Sequence, residues 1–141
     1  MVRSPQNTTE WEEYYQLRYK ILRKPWNQAA GSEKDEMEQQ CIHAACFVKE
    51  KIVAVGRLQM NNETQAQIRY MAVDDQHQNK GYGQEIMQWL EDQARLKNAE
   101  EIVLESRENA VAFYEKNGYK IISKSYILFD KIQHFTMKKD L

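Results

Sequence analysis

The sequence lacks the features that would tie it to a membrane, a nucleic acid or an export route. No apolar run approaches the roughly 18 residues of a membrane-spanning helix, and the first residues carry no apolar segment typical of a secretion signal. Its 20 basic and 21 acidic residues leave a net charge of −1, which does not favour a nucleic-acid or membrane partner. We therefore predict a cytoplasmic protein.

Cysteine is nearly absent as well, and we predict no disulfide. Cys41 and Cys46 lie five residues apart in one predicted strand. Their side chains would therefore point to opposite faces of that strand, where they cannot bridge each other. Free thiols fit a reducing cytoplasm.

Glycine is scarce, with 5 in the chain, and the missing glycines exclude two common phosphate-binding loops. Gly81 and Gly83 lie between an apolar run at residues 70–73 and a helical pattern that begins near Ile86. A dinucleotide-binding fingerprint would need a third glycine where Ile86 stands. A Walker-type loop would need Gly-Lys followed by Ser or Thr, and the sequence has no such triplet.

What remains is Gln-x-x-Gly-x-Gly at residues 78–83, between a predicted strand and a predicted helix. Such a junction directs several backbone N–H groups at one point, beside the positive end of the helix dipole. A phosphate or pyrophosphate is the ligand that suits it. Ordinary turn chemistry is the alternative interpretation of the two glycines.

Hydrophobic periodicity predicts an α/β (α+β) chain with a definite order of elements. A capping-box pattern at residues 9–12 opens a helix over 10–23, and residues 27–40 form a loop or a poorly packed helix. Strands follow over 41–48, 52–60 and 66–73, then a helix over 81–97, a strand over 102–104, a short helix closed by Asn117-Gly118, and strands within 119–128 and at 134–138. We predict a mixed central sheet with an antiparallel N-terminal meander, flanked by helices, in a single domain of residues 1–141.

Two motifs in this order resemble those of the GNAT acetyltransferase superfamily. Gln-x-x-Gly-x-Gly at 78–83 is similar to its acetyl-CoA pyrophosphate loop, Arg/Gln-x-x-Gly-x-Gly/Ala. Ala-x-x-Phe-Tyr-Glu-Lys-x-Gly-Tyr at 110–119 is similar to its C-terminal motif. One helix and one strand separate the two motifs, as in the family, and the resemblance covers the whole chain. A fainter likeness to the ElaA-like branch lies at residues 17–19 and 132–137.

The resemblance implies acetyl-CoA as the cofactor, with CoA as product and no metal. The main chain of Met71, Ala72 and Val73 would pair with pantetheine as an added strand does. The pyrophosphate would be held by the loop residues Gln78, Asn79, Lys80, Gly81, Tyr82, Gly83 and Gln84.

Two positions depart from the family pattern. Asn79 stands where the family often has glycine, although asparagine tolerates positive φ better than other residues. Arg107 stands where the family usually has an asparagine that contacts CoA, and Asn109 is the nearest substitute.

The resemblance also implies which residues carry the chemistry. Tyr114 would donate a proton or a hydrogen bond to the departing thiolate, unless it is an ordinary core tyrosine. Glu105, just past the central strand, or His134, on the last strand, would accept the proton of the amine. Ordered water in place of either base is the third alternative.

The function that the resemblance implies is N-acetylation of a primary amine on a small molecule or peptide, by direct transfer in a ternary complex. A non-catalytic acyl-CoA sensor and a cofactor-free interaction domain are the alternatives. A homodimer is compatible with all three.

Overall fold

Seven strands form one mixed sheet in the computed structural model of the chain, which describes residues 1–141. In chain order the elements are β1 (Val2–Arg3), α1 (Thr8–Leu22), β2 (Ile42–Val48), β3 (Lys51–Met60), β4 (Gln65–Val73), α2 (Tyr82–Leu96), β5 (Glu101–Arg107), α3 (Val111–Lys116), β6 (Lys120–Leu128) and β7 (Ile132–Asp140). The strand order is β1-β2-β3-β4-β5-β7-β6. Only β4 and β5 are parallel. The predicted α/β fold, with its antiparallel meander and flanking helices, is confirmed.

Several predicted boundaries need correction. Of the two alternatives predicted for the segment 27–40, the loop is correct, since the segment folds into turns that include one 3₁₀ turn at Glu38–Gln40. Helix α1 begins earlier than predicted, because the side chain of Asn7, not Thr9, accepts the N–H of Glu10 at 2.9 Å. Strand β5 is four residues longer than its apolar centre, and β1 was not predicted.

The two cysteines are free thiols, and Cys41 precedes β2 instead of lying in it. None of the helices combines the length and the apolar character needed to cross a bilayer.

The two long helices cover opposite faces of the sheet. Helix α2 buries Ile86, Met87 and Leu90 completely, in a cluster that includes Ala44 and Cys46 of β2. Helix α1 buries Tyr14 and Leu17 on the other face, against Ala45, Phe47 and Val55. Strands β2 and β3 are buried along most of their length, with successive residues of β2 in the two opposite clusters, as a sheet covered on both faces requires.

A β-bulge in β4 determines where the sheet opens. The residue pairs Val55–Ala72 and Arg57–Arg69 leave Gly56 facing two residues, Tyr70 and Met71. Tyr70 has a left-handed backbone, with φ of 57°, and a bulge of this kind bends its strand. The parallel pairing of β4 with β5 then ends at Ile68 and Leu104, so the two strands diverge beyond that point.

Gly56 also lets α2 approach the bulge closely. A Cβ atom added to Gly56 would lie 2.6 Å from Sδ of Met71 and 2.8 Å from Cγ2 of Ile86. Real Cβ atoms essentially never approach other atoms so closely. Glycine at this position therefore sets the spacing between β3, the bulge and α2.

We expect Gly56→Ala to destabilise the fold by overpacking. The cost of extra atoms in a filled core is roughly 1–3 kcal/mol, which corresponds to a fall in melting temperature of roughly 4–12 °C for a domain of this size. Thermal unfolding followed by circular dichroism measures the change. Glu63→Ala, in the exposed turn between β3 and β4, is the control and should stay within about 0.5 kcal/mol of the parent. Equal melting temperatures for Gly56→Ala and the parent would contradict the close packing described here.

Candidate active site

The divergence of β4 and β5 creates a cavity of about 120 Å³. Its walls come from the end of α1, from β4, from β5, from the start and body of α3, and from β6 and β7. Tyr114, Glu105 and His134, the three predicted catalytic residues, all line it, and so does Met71. The structure thus brings together residues that are distant in sequence.

Tyr114 enters the cavity from α3. Its side chain is 8% exposed, and its ring makes edge-to-face contacts with Phe113 and Tyr119 at centroid distances of 5.1 and 6.0 Å. Burial raises the pKa of the Tyr114 phenol, and the positive charge of Arg107 opposes that rise. The hydroxyl is therefore protonated at neutral pH and can donate a hydrogen bond into the cavity.

Glu105 is half-buried on β5, and two hydroxyl groups of the last hairpin orient its carboxylate. Ser125 Oγ donates to Oε2 at 2.8 Å, and Thr136 Oγ1 lies 2.9 Å from both carboxylate oxygens. Neither partner is a cation. The carboxylate is held in place by neutral donors, and such a group can accept a further proton without first breaking an ion pair.

His134 reaches the cavity because β7 pairs with β5, with His134 opposite Arg107. Its Nδ1 lies 3.0 Å from the carbonyl oxygen of Ile132, which only accepts, so Nδ1 carries the hydrogen. The ring stacks on Tyr126 with centroids 4.5 Å apart. Burial lowers the pKa of His134, so the imidazole is neutral at pH 7 and its Nε2 is an acceptor.

The predicted anion loop lies at the start of α2. Gly81 has a φ of 87° and Asn79 a φ of 62°, both in the left-handed region. No side chain caps the helix, and its first internal hydrogen bond runs from Glu85 N to Gly81 O. The amides of Tyr82, Gly83 and Gln84 are the groups that an incoming anion would meet.

The loop at residues 78–83 packs closely against the end of β4 and the start of α3. A Cβ atom on Gly83 would lie 3.3 Å from Cζ of Phe113 and 3.4 Å from Cγ2 of Val73, so this glycine allows α2, α3 and the end of β4 to meet. Asp74 accepts from Nδ1 of His77 at 2.8 Å and from Nζ of Lys20 at 3.1 Å. The hydrogen bond from His77 is the main reason that the pKa of Asp74 falls to about 2.

Not every predicted residue lies at the cavity. Asn109 is exposed in the turn Glu108–Ala110 and is not part of the wall. Ala72 is buried and Val73 half-buried, and both pair with β3 through one edge of β4. Their other edge faces the gap, because the pairing with β5 has already ended. Gln78, Lys80 and Gln84 are exposed in the loop.

Several residues that line the cavity or hold its rim were not predicted from the sequence. Arg23, Arg69 and Tyr126 belong to the wall, and Arg107 was noticed only as a departure from the family pattern. Asp74 and His77 brace the loop, and their Asp-x-x-His spacing is the one local signal that was available. The structure has no group of three or more His, Cys, Asp or Glu side chains that could hold a metal ion.

A buried ionic network fixes the segment 31–40 beside the cavity. Asp35 accepts from Arg57 at 2.7 and 3.0 Å and lies 3.3 Å from Arg69. Glu38 accepts from Arg18 at 3.0 Å and from Arg57 at 2.7 Å. The hydrogen bonds from Arg57 are the main reason that the pKa of Asp35 falls to about 2.

Comparison with known sequences gives a family and several relatives, of which two are described here. The sequence profile of the acetyltransferase (GNAT) family matches residues 11–119. An uncharacterized N-acetyltransferase of Bacillus subtilis (strain 168), YjcF, is 31% identical over 134 residues, which cover 95% of each chain. The UPF0039 protein C11D3.02c of Schizosaccharomyces pombe is 32% identical over 115 residues, which cover 79% of this chain and 76% of that protein.

Comparison with solved structures gives the same fold. Escherichia coli ElaA superposes with a TM-score of 0.82 over 99% of this chain and 97% of its own, at 16% identity. An aminoglycoside 6′-N-acetyltransferase complexed with coenzyme A superposes with a TM-score of 0.82 over 99% of this chain and 96% of its own, at 16% identity. At these identities the likeness establishes the fold alone.

Proposed function

The chain belongs to the GNAT acetyltransferase family, and we propose that it transfers the acetyl group of acetyl-CoA to a primary amine of a small molecule or peptide. The transfer is direct, in a ternary complex. The observation that carries this proposal is the meeting of Tyr114 and Glu105 at the gap between β4 and β5. The same fold in an aminoglycoside acetyltransferase crystallised with coenzyme A supports the choice of cofactor.

In the proposed complex, acetyl-CoA occupies the gap as an extra strand. The free edge of Met71, Ala72 and Val73 would pair with the amides of pantetheine. The pyrophosphate would lie on the amides at the start of α2, and the residues assigned to it are Gln78, Asn79, Lys80, Gly81, Tyr82, Gly83 and Gln84. A contact between Asn109 and CoA stays a prediction; the side chain of Asn109 is exposed. No metal has a part in the reaction that we propose.

The proposed chemistry assigns one role to each side chain. Glu105 takes a proton from the acceptor ammonium, and the free amine attacks the thioester carbonyl carbon. The carbon–sulfur bond then breaks, and the sulfur leaves as a thiolate that Tyr114 stabilises by donating a hydrogen bond or its proton. The new amide nitrogen gives up its remaining extra proton to water, or to Tyr114 if the phenol has given its own proton to the sulfur.

Three further assignments remain proposals. We propose that residues 1–141 form a single N-acetyltransferase domain, which the continuous sheet supports. The cytoplasmic location and the homodimer stay predictions. Strand β6 is an edge of the sheet that exposes Ile121, Ile122 and Ile127, and it is the surface where we would look for a second copy.

The loop assignment predicts that a β-branched residue at position 79 weakens CoA binding. Asn79→Val places a branched side chain at positive φ, which costs about 1–3 kcal/mol and shifts the loop away from its binding geometry. We expect CoA affinity, measured by calorimetry, to fall about tenfold or more if 1.4 kcal/mol of that cost is paid on binding. Asn79→Gly should bind at least as well as the parent.

The matched control is Asn98→Val at the end of α2. Asn98 has a φ of 63° and lies far along the helix from the loop, so the variant should lose comparable stability and keep its CoA affinity. If Asn79→Val binds CoA as the parent does, the pyrophosphate site lies elsewhere.

Tyr114→Phe tests the leaving-group role. The substitution removes one oxygen and keeps the ring contacts with Phe113 and Tyr119. We expect CoA binding to persist and kcat to fall roughly 10- to 1000-fold, measured as thiol release from acetyl-CoA with a panel of amines. An unchanged kcat with chemistry rate-limiting would reduce Tyr114 to a packing residue. Binding without thiol release by the parent chain would support the acyl-CoA sensor instead.

Glu105→Gln and His134→Phe identify the base. Glu105→Gln keeps the size of the side chain and should lower kcat by roughly 100- to 10,000-fold. Its residual rate should rise with pH as the acceptor loses its proton unaided. His134→Phe keeps the stacking on Tyr126 and should leave the acidic limb of the pH profile in place. If instead His134→Phe removes the acidic limb and Glu105→Gln keeps it, His134 is the base. The midpoint of that limb should then lie below the usual imidazole pKa of about 6.5, because burial lowers the pKa of His134.

A further inference from the structure

The cavity carries an excess of positive charge. Three guanidinium groups line it, those of Arg23, Arg69 and Arg107, against one carboxylate, that of Glu105. His134 adds no further positive charge, because burial lowers its pKa and keeps it neutral at pH 7. Arg69 is partly compensated by Asp35 at 3.3 Å. Arg23 and Arg107 therefore account for the surplus.

Arg23 and Arg107 donate only to backbone carbonyl oxygens. Nη1 of Arg23 and Nη2 of Arg107 each lie 3.1 Å from the carbonyl oxygen of Leu22, and Nε of Arg23 donates to Ser32 O at 3.1 Å. Two full positive charges thus converge on one oxygen atom at the C-terminus of α1. The negative end of a helix dipole supplies about half an elementary charge, which compensates only part of them.

Two guanidinium groups placed in this way are energetically costly. Burial lowers the pKa of the Arg107 guanidinium, and the charge of Arg23 lowers it further. Like charges that converge in a partly buried site raise the free energy of the folded state unless an anion is present. Both side chains are nevertheless held in position. Cζ of Arg23 lies 5.6 Å from the centroid of the Phe129 ring, and Arg107 is fixed by its place on β5.

We infer that the acceptor amine carries an anionic oxygen group, a carboxylate or a phosphate, which Arg23 and Arg107 bind in the cavity. This inference rests on the proposed acetyl transfer, because the bound amine is an acceptor only if the transfer takes place. Guanidinium groups pair with both anions through two parallel hydrogen bonds. Bound in this way, the acceptor has its amine beside Glu105 and Tyr114, which share the same walls.

The charge pattern makes a polycationic acceptor unfavourable. An amine that carries further ammonium groups would meet Arg23, Arg69 and Arg107 with one carboxylate to balance them. The same positive field lowers the pKa of the acceptor's reacting ammonium, which favours the free amine needed for attack.

The arginines are distinct from the proposed pyrophosphate site. No residue of the loop 78–84 belongs to the cavity wall. The loop amides lie at the start of α2, whereas Arg23 and Arg107 meet at the end of α1. The phosphates of CoA therefore have a separate site, and the surplus charge remains available to a second ligand.

The test is a series of ligands that share one aminoethyl group and differ in one substituent. β-Alanine carries a carboxylate, phosphoethanolamine a phosphate, β-alaninamide a neutral amide and ethylenediamine a second amine. Their affinities for the CoA-saturated protein are measured by calorimetry. We expect one or both anionic ligands to bind at least about tenfold more tightly than the amide, which is about 1.4 kcal/mol, and the diamine to bind most weakly. The order of the two anions identifies the preferred group.

Variants connect the preference to the two arginines. Arg23→Gln and Arg107→Gln should each reduce the preference for the anion over the amide by about tenfold or more, whereas Arg107→Lys should keep part of it, because the charge remains. Arg95→Gln is the control, since Arg95 is half-exposed on α2 and pairs with Asp92; it should keep the full preference. Circular dichroism melting shows which variants are folded.

Several results would overturn the inference. Equal affinities across the series, tightest binding of the diamine, no binding of any ligand, or an unchanged preference in folded Arg23→Gln and Arg107→Gln would each do so. Loss of CoA affinity in those variants would assign the arginines to the cofactor. The measurement needs no turnover, so a failure of the parent chain to release thiol from acetyl-CoA would sink the proposed transfer separately.

Discussion

Gly56 lies opposite two residues of β4, whereas each residue in regular pairing lies opposite one. The geometry of the site depends on the extra residue that this bulge adds to β4. Tyr70 takes it up with a left-handed backbone, which costs a bulky residue about 1–3 kcal/mol. The surroundings offset the cost: Arg18, Arg69 and Arg57 lie over the Tyr70 ring at 4.4, 4.7 and 4.8 Å, and Arg23 at 5.7 Å. Contacts of this type contribute about 0.5–2 kcal/mol each. The cation–π contacts around Tyr70 thus offset the backbone strain at the bulge, next to which the gap opens.

These cations are themselves held by the acidic segment before β2. Arg18 and Arg57 are fully buried, and each keeps one Nε–H without a partner. Glu38 joins both, and its own backbone carbonyl lies 2.7 Å from Nε2 of His43. Removing one member of a buried ion pair costs about 3–5 kcal/mol. The bulge, the arginines and the segment 31–40 therefore form one interdependent unit beside the cavity.

The sequence was sufficient for whatever depends on local pattern. The order of strands and helices from α1 onward, the loop at 78–83 and the placement of Tyr114 in a short helix follow from periodicity, glycines and one motif. The convergence of Arg23, Arg69 and Arg107 was not predictable, because these residues lie on three different elements and share no spacing. The bulge was hidden too, since Tyr70 fits an apolar strand and only its pairing with Gly56 shows the extra residue. His134 depended on how the last hairpin folds, and its register opposite Arg107 settles that it reaches the cavity.

The short parallel seam between β4 and β5 has a mechanical consequence. Four residue pairs, from Gln65–Glu101 to Ile68–Leu104, make up the strand pairing between β1–β4 and β5–β7–β6. The sheet therefore has two antiparallel halves that meet along a parallel seam, which is paired at one end and open at the other. Unpaired backbone opens more easily than paired backbone, so along this seam the amides at the open end should exchange their hydrogens before those at the paired end. A strand-like molecule seated in that opening would act as a staple between the two halves, and the stiffness of the whole sheet would then depend on its occupancy.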